Sequence, residues 1–119
     1  AFANCTGLEE ITIPGNIGFC AFQNCSNLTR VTITDGVKNI DQGAFHNCTN
    51  LSEINIPDSI IYIGNAAFQN CSSLTDIKIP DGVTELGETT FYGCENIVVT
   101  YKDKKYTYND IDKSQGKII

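Results

Sequence analysis

Five of the six phenylalanines recur at a nearly fixed spacing, and this feature constrains the fold more than any other. The last three intervals between them are each 23 residues, and only the first is shorter, at 20 residues. A cysteine follows each of the five after three residues, and a leucine or isoleucine follows three residues later. Such a period is typical of a solenoid, in which each repeat forms one coil stacked on the next. The series is Phe2, Phe22, Phe45, Phe68 and Phe91.

Each repeat also contains an alternating step of β-branched residues, as in Ile54-Asn55-Ile56. Period-two alternation predicts a short strand, and strands stacked in register form one parallel sheet along one side of the rod. Pro14, Pro57 and Pro80 follow the second isoleucine and end the strand, because proline cannot donate to a ladder. A short helical or irregular segment is expected at the back of each coil. The predicted fold class is therefore an α/β-type or mostly β repeat solenoid.

The repeat pattern predicts three regions along the chain. Residues 1–97 form the solenoid of about four coils, and residues 98–108 alternate like a β-hairpin that caps the last coil. Residues 109–119 are polar and are expected to be a tail or linker. The chain opens within a repeat, so we expect an N-terminally truncated solenoid with an uncapped end. Its first strand would face open space, which predicts that this end either self-associates or frays.

Charge and hydropathy exclude several partners. The formal net charge is −6, whereas nucleic acid and anionic lipid both require a basic surface. No run of 18 apolar residues is present, so no membrane insertion is expected, and no signal peptide is recognisable.

The six cysteines invite three interpretations. Five of them form a line at the repeat spacing, which suits neither a zinc site with converging ligands nor a disulfide, because equivalent side chains point the same way. The favoured interpretation is a column of small buried apolar residues. Cys20 stands outside the line, and a disulfide at Cys20 stays open. The column is Cys5, Cys25, Cys48, Cys71 and Cys94.

Four glycosylation sequons overlap this column, at Asn4, Asn24, Asn47 and Asn70. Glycans on adjacent coils would collide, so these asparagines are expected instead to hydrogen-bond the turn into the strand. Glycosylation is the alternative.

No catalytic or cofactor-binding pattern is present. His46 is the only histidine, and its equivalents in other repeats include Gln23, Gln69 and Tyr92, so it is expected at a variable, exposed position. The chain has no Gly-rich phosphate loop, HExxH or GxSxG motif. We therefore expect no enzyme activity, no metal and no cofactor.

The candidate ligand-binding surface is the sheet face that points away from the core, here called the front face. Its positions vary between repeats while the core positions hold, and solenoids use such extended concave faces for binding. A merely solvated face is the alternative. The front face comprises Glu10, Thr12, Arg30, Thr32, Glu53, Asn55, Asp76 and Lys78.

The run AFQNCSNLTRVTITDGV at 21–37 and its copies resemble the BspA-like class of leucine-rich repeats, over residues 1 to about 100. The commoner leucine-rich repeat has an asparagine after the strand. Here those positions hold Asn16, Gly36, Ser59 and Gly82, so no continuous asparagine ladder is expected.

The resemblance implies a right-handed, curved parallel solenoid from an extracellular or cell-surface protein. Members of the class act as adhesins or interaction scaffolds. The expected function is thus a non-catalytic protein-interaction or adhesion module, whose protein partner the sequence does not identify. The alternative is a structural spacer with no ligand of its own.

Overall fold

In a computed structural model, which describes residues 2–111, the repeats form the coils of a solenoid. Each coil contributes one short strand to the front of the rod, and the buried positions alternate with exposed ones along it. In the second coil, Val31 and Ile33 face the core while Arg30 and Thr32 face solvent. The front strands are β1 (Glu10–Ile13), β2 (Arg30–Ile33), β4 (Glu53–Asn55), β6 (Asp76–Ile79) and β8 (Val98–Tyr101).

The front strands are parallel and in register, so equivalent repeat positions lie side by side. The predicted single sheet is nevertheless wrong, because hydrogen bonding divides the front into β1-β2-β4 and a second sheet that begins at β6. β4 ends at Asn55, one residue before its equivalents, and the side-chain amide of Asn55 bonds the backbone of Ile33 in place of further ladder bonds. β4 still packs beside β6, so the face is continuous.

The back of the coils carries a separate parallel sheet of very short strands. It consists of β3 (Asn39–Ile40), β5 (Tyr62–Ile63) and β7 (Glu85–Leu86), in the order β3-β5-β7. The first coil has a shorter connection and joins this sheet through a single bridge between Ile17 and Ile40.

We expected a helical or irregular segment at the back of each coil, and residues 2–111 show the irregular form, with turns that contain two left-handed positions per coil. One is shared by Cys20, Gly43, Ala66 and Thr89, with φ between 50° and 66°. The other is shared by Asn4, Asn24, Asn47, Asn70 and Gly93, with φ between 61° and 86°. Left-handed residues interrupt a right-handed helix, which explains why the segment is irregular.

The core consists of columns, each formed by equivalent residues of successive coils. Phe45 and Phe68 are fully buried, as predicted, and adjacent rings of the series stack with centroids 5.5–6.0 Å apart and interplanar angles of 1–6°. Phe2 at the first coil is 48% exposed. Each coil therefore buries the aromatic ring of its neighbour.

The hairpin that the sequence predicts after the last coil is present. β8 pairs with β6 on one side and antiparallel with β9 (Lys104–Thr107) on the other. Lys102 and Asp103 both have positive φ, as a two-residue hairpin turn of type I′ requires. A short 3₁₀ helix, Tyr108–Asp110, follows, and Ile111 is buried.

The division into a solenoid, a hairpin and a tail stays a prediction. Of the predicted tail, the structure describes residues 109–111, and residues 112–119 lie outside the described residues.

Candidate functional site

The front face is assembled by strand alternation and register. All eight predicted residues are exposed, because each occupies an outward position of its strand. One column runs Glu10, Arg30 and Glu53, and the next runs Thr12, Thr32 and Asn55, as direct pairing partners. Asp76 and Lys78 lie at the equivalent positions of β6. Residues far apart in sequence are thus about one strand spacing apart, ~4.8 Å.

Arg30 is held between two carboxylates. Its Nη1 lies 3.0 Å from Oε1 of Glu10, and its Nε lies 3.0 Å from Oε2 of Glu53. Pairing with Glu53, and then with Glu10, raises the pKa of Arg30. All three side chains are more than half exposed, so these ion pairs add little stability. Their effect is to fix the guanidinium, which is not a free cation on this face.

The side chain of Asn55 is less available to a ligand than its outward position on the strand indicates. Its Nδ2 donates to the carbonyl oxygen of Ile33 at 2.9 Å, and its Oδ1 accepts from the backbone nitrogen of Ile33 at 2.8 Å. The amide therefore extends the pairing of β2 and β4, and a ligand would compete with these two bonds. Strand alternation alone does not reveal this use of the side chain.

Seven of the eight predicted residues line two shallow depressions that share Arg30 and Thr32. One, of about 510 Å³, lies between Arg30, Glu53 and Asp76, and the other, of about 230 Å³, lies between Glu10 and Arg30. Lys78 lines a separate depression with Asp58, Asp81 and Asp103. The surface offers mixed charge and hydroxyl groups over several coils, which suits the recognition of a polar protein surface.

Asp76 and Lys78 are the other charged groups of the front face. Within residues 2–111, neither forms a salt bridge. They are therefore the charges of this face that a partner can engage without first displacing an ion pair.

The histidine lies away from any catalytic arrangement in the described structure. His46 is half-buried, and its Nδ1 is 3.4 Å from Nε2 of Gln23. Among residues 2–111 there is no cluster of three or more His, Cys, Asp or Glu side chains suited to hold a metal ion. The same residues include no helix of the length and apolarity needed to span a bilayer.

The sequon asparagines form a ladder between coils, so our expectation that they bond the turn into the strand is wrong. Nδ2 of Asn24, Asn47 and Asn70 each donates to Oδ1 of the asparagine in the preceding coil, at 2.9–3.0 Å. This ladder lies before the front strand. It is therefore not the asparagine ladder of commoner leucine-rich repeats, which lies after the strand and is not expected here. The amide nitrogen that a glycan would use is thus engaged in three of the four sequons.

The ladder stops at Gly93. A Cβ at that position would lie only 2.1 Å from Oδ1 of Asn70, so a side chain there requires Asn70 to move. Gly93 keeps the left-handed backbone of its column, and its N–H donates to the hydroxyl of Tyr108. At the end of the ladder, a hydrogen bond to Tyr108, which follows the hairpin, therefore replaces the bond between asparagine side chains.

The cysteine column is buried, but it is not merely apolar. Sγ of Cys25, Cys48, Cys71 and Cys94 lies 3.0–3.2 Å from the carbonyl oxygen of a phenylalanine in the preceding coil, so each thiol donates a hydrogen bond. Burial raises the pKa of Cys48 and of Cys94 to about 12.

All six cysteines are free thiols, including half-buried Cys20, so the structure contains no disulfide at Cys20. Cys5, at the first coil, is half-buried and thus an exception to the predicted buried column.

Stacked coils with a parallel front sheet, an aromatic column and inward aliphatic columns define a leucine-rich repeat solenoid. The family model described as BspA type leucine rich repeat region matches residues 1–111 in six copies. The chain belongs to this BspA-type leucine-rich repeat family, as its sequence indicates. Repeats of this kind generally mediate contacts between proteins, and the family is typically non-catalytic.

Solved structures with the same fold come from bacteria. A leucine rich cell surface protein from Faecalibacterium prausnitzii is 31% identical with a TM-score of 0.68, and the alignment covers 95% of this chain and 37% of that one. A leucine-rich repeat protein from Bacteroides ovatus is 31% identical with a TM-score of 0.62, over 78% of this chain and 33% of that one.

A Treponema pallidum leucine rich repeat protein is 26% identical with a TM-score of 0.66, over 78% and 58% of the two chains. The chain therefore spans between a third and 58% of the length of these three structures. No curated protein matches it.

Proposed function

We propose that this chain is a non-catalytic protein-interaction or adhesion module of a cell-surface or secreted leucine-rich repeat protein, and that it binds a protein partner through the front face. The observation that carries this proposal is the ordered set of charges across the coils. Arg30 is fixed between Glu10 and Glu53, while Asp76 and Lys78 keep their charges unpaired within residues 2–111. A preorganised mixed-charge surface favours selective protein contacts, because ordering costs are already met.

Two further observations support the proposal. The outward positions differ from coil to coil while the inward ones repeat, which leaves the face free to suit a partner. The Faecalibacterium prausnitzii relative is described as a cell surface protein, which supports an extracellular or cell-surface location of the parent protein. The net charge of −6 disfavours nucleic acid.

The test compares two triple variants of the full chain. In the front-face variant, Arg30, Glu53 and Lys78 are replaced by alanine. In the matched control, Lys38, Glu95 and Lys104 are replaced, which removes the same charges from exposed positions elsewhere. Each protein is labelled, and its saturable binding to intact cells is measured before and after the cell-surface proteins are removed with trypsin.

We expect the front-face variant to lose at least about tenfold in affinity, since several contacts of about 0.5 kcal/mol are removed together. The control should bind like the wild type, and trypsin treatment should abolish binding. Unchanged binding by the front-face variant refutes the use of this face. Absence of any saturable binding favours the structural spacer, for which the continuous columns make a suitably stiff rod.

Self-association through the N-terminal end is part of the proposal. β1 pairs with β2 on one side and with no described strand on the other. Phe2 and Phe19 are 48% and 67% exposed, and Leu8 is half-buried, at this end of the stack. A free strand edge beside wet apolar side chains favours a second copy of the chain as its cover.

A further inference from the structure

Among the described residues, no strand pairs with the outer edge of β7 in the back sheet. The hairpin extends the front of the rod beyond the last coil, because β8 and β9 continue from β6. The back has no such continuation within residues 2–111, where β7 pairs only with β5. The backbone nitrogens of Glu85 and Gly87 donate to the carbonyl oxygens of Ile61 and Ile63, so by alternation the N–H and C=O groups of Leu86 point away from β5. This edge can therefore accept another strand.

A groove of about 670 Å³ lies along β7 and reaches from the β5 side to the start of the hairpin turn. Its larger apolar groups come from Tyr62, Val83, Leu86 and Tyr101. Leu86 is 7% exposed, whereas Ile40 and Ile63, which hold the same position in the preceding coils, are 0% exposed. The difference marks the place where a neighbouring strand is missing.

The groove is also acidic. Asp81, Glu85 and Glu88 line it, and none of the three forms an ion pair with another described residue. Within residues 2–111, the one basic residue in its lining is Lys102, whose Nζ lies 5.2 Å from the ring centroid of Tyr101. The groove therefore has a charge opposite to that of a basic segment.

We propose that this groove binds an extended segment of a partner protein, which adds a strand to β7 and carries a basic residue next to an aliphatic one. Main-chain hydrogen bonds to an exposed edge supply affinity, and alternating side chains supply specificity. The register follows from the back sheet, in which Tyr62 lies beside Glu85 and Ile63 beside Leu86. The basic side chain of the segment lies beside Glu85, and the aliphatic side chain covers Leu86. This surface is distinct from the front face.

The probe is the synthetic peptide acetyl-Thr-Lys-Ile-Lys-Thr-amide, which presents a basic residue beside isoleucine in either strand direction. It is titrated into the full chain, and the backbone amide signals are followed by NMR. We expect saturable shifts centred on Thr84–Gly87. Reversing the charge of both Glu85 and Glu88 to lysine should weaken binding at least fivefold, because the attraction between the basic peptide and the acidic lining becomes a repulsion.

Two controls make the test specific. Charge reversal at Glu9 and Asp35, which are exposed and outside the groove, should leave the affinity unchanged. Peptides N-methylated at alternate amides should differ, since only one set of amides faces the edge of β7. The proposal is overturned if no saturable shift occurs at residues 84–87, or if both reversals weaken binding equally. It is also overturned if the peptide binds only after deletion of residues 112–119, because the occupant is then the chain's own tail.

Discussion

The asparagine ladder gives the sharpest test of what holds the coils together. Asn47 occupies its middle, donating to Asn24 and accepting from Asn70 at 2.9 Å each. Replacement by glycine removes both bonds and keeps the backbone unstrained, because glycine tolerates the φ of 63° at this position. Two hydrogen bonds contribute about 1–3 kcal/mol. Asn47→Gly should therefore lower the free energy of unfolding by about 1–3 kcal/mol.

The assay is urea unfolding followed by circular dichroism, with the denaturant slope compared between variants. Asn4→Gly is the matched control, since Asn4 has the same left-handed backbone but only one ladder bond, at an exposed site. Its cost should be clearly smaller. If Asn47→Gly is as stable as the wild type, the asparagine recurs for its backbone conformation alone. If the two variants lose the same amount, the ladder bonds do not contribute.

Three other expectations follow from the columns and the two ends of the rod. Phe68→Ala should cost about 3–5 kcal/mol in a chemical melt, because the ring is fully buried, and a loss below ~1 kcal/mol contradicts its place in the core. Burial raises the thiol pKa of Cys48 and Cys94 from 9.0 to about 12. The contribution of these neutral thiols to the free energy of unfolding is therefore intact below pH 9 and is lost as the pH rises from 9 towards 12. By pH 10 the loss is about 1.4 kcal/mol per thiol, and Cys48→Ala should make alkaline unfolding less steep. In dilute protein, the backbone amide hydrogens of Glu10–Ile13 should exchange with solvent faster than those of Asp76–Ile79. They should become protected at concentrations where light scattering shows association. A strict monomer with full protection at Glu10–Ile13 refutes this.

Much of the fold follows from the sequence because the repeat fixes register. The 23-residue period aligns equivalent positions, and strand alternation then separates the inward aliphatic columns from the outward polar ones. The back sheet does not follow in the same way, because its apolar pairs, such as Val37 and Ile40, are spaced three apart. That spacing fits a helix as well as a turn followed by a short strand.

The asparagine ladder has a signal in the sequence, which lies in the residue types at one repeat position and not in the spacing of the repeats. The column is Asn4, Asn24, Asn47, Asn70 and then Gly93. Asparagine and glycine share one property above all, which is tolerance of positive φ. A column restricted to these two residues therefore indicates a left-handed turn, and side chains on a left-handed turn repeated at coil spacing can bond one another.

The candidate site was predictable in part. Register alone places Arg30 between Glu10 and Glu53, and alternation alone exposes all three. The use of the Asn55 amide in bonding Ile33 depends on a side-chain rotamer, which no repeat pattern encodes. The groove at β7 depends on where the hairpin leaves the coil path, and the sequence marks that point only by the loss of the repeat.

The columns divide the chain into residues that hold the rod and residues that a partner can contact. Asn, Cys and Phe of each coil bond or stack on the neighbouring coil, so a change there alters stability for any partner. Asp76 and Lys78 form no ion pair within residues 2–111, so a change there should have little effect on folding and, under the proposed function, should alter a partner's affinity. Because the core columns fix the coil spacing at ~4.8 Å, the front-face contacts keep their spacing whatever residues fill them. The proposed function therefore assigns stability and selectivity to different positions of one repeat, and the Asn47 and front-face variants should separate them.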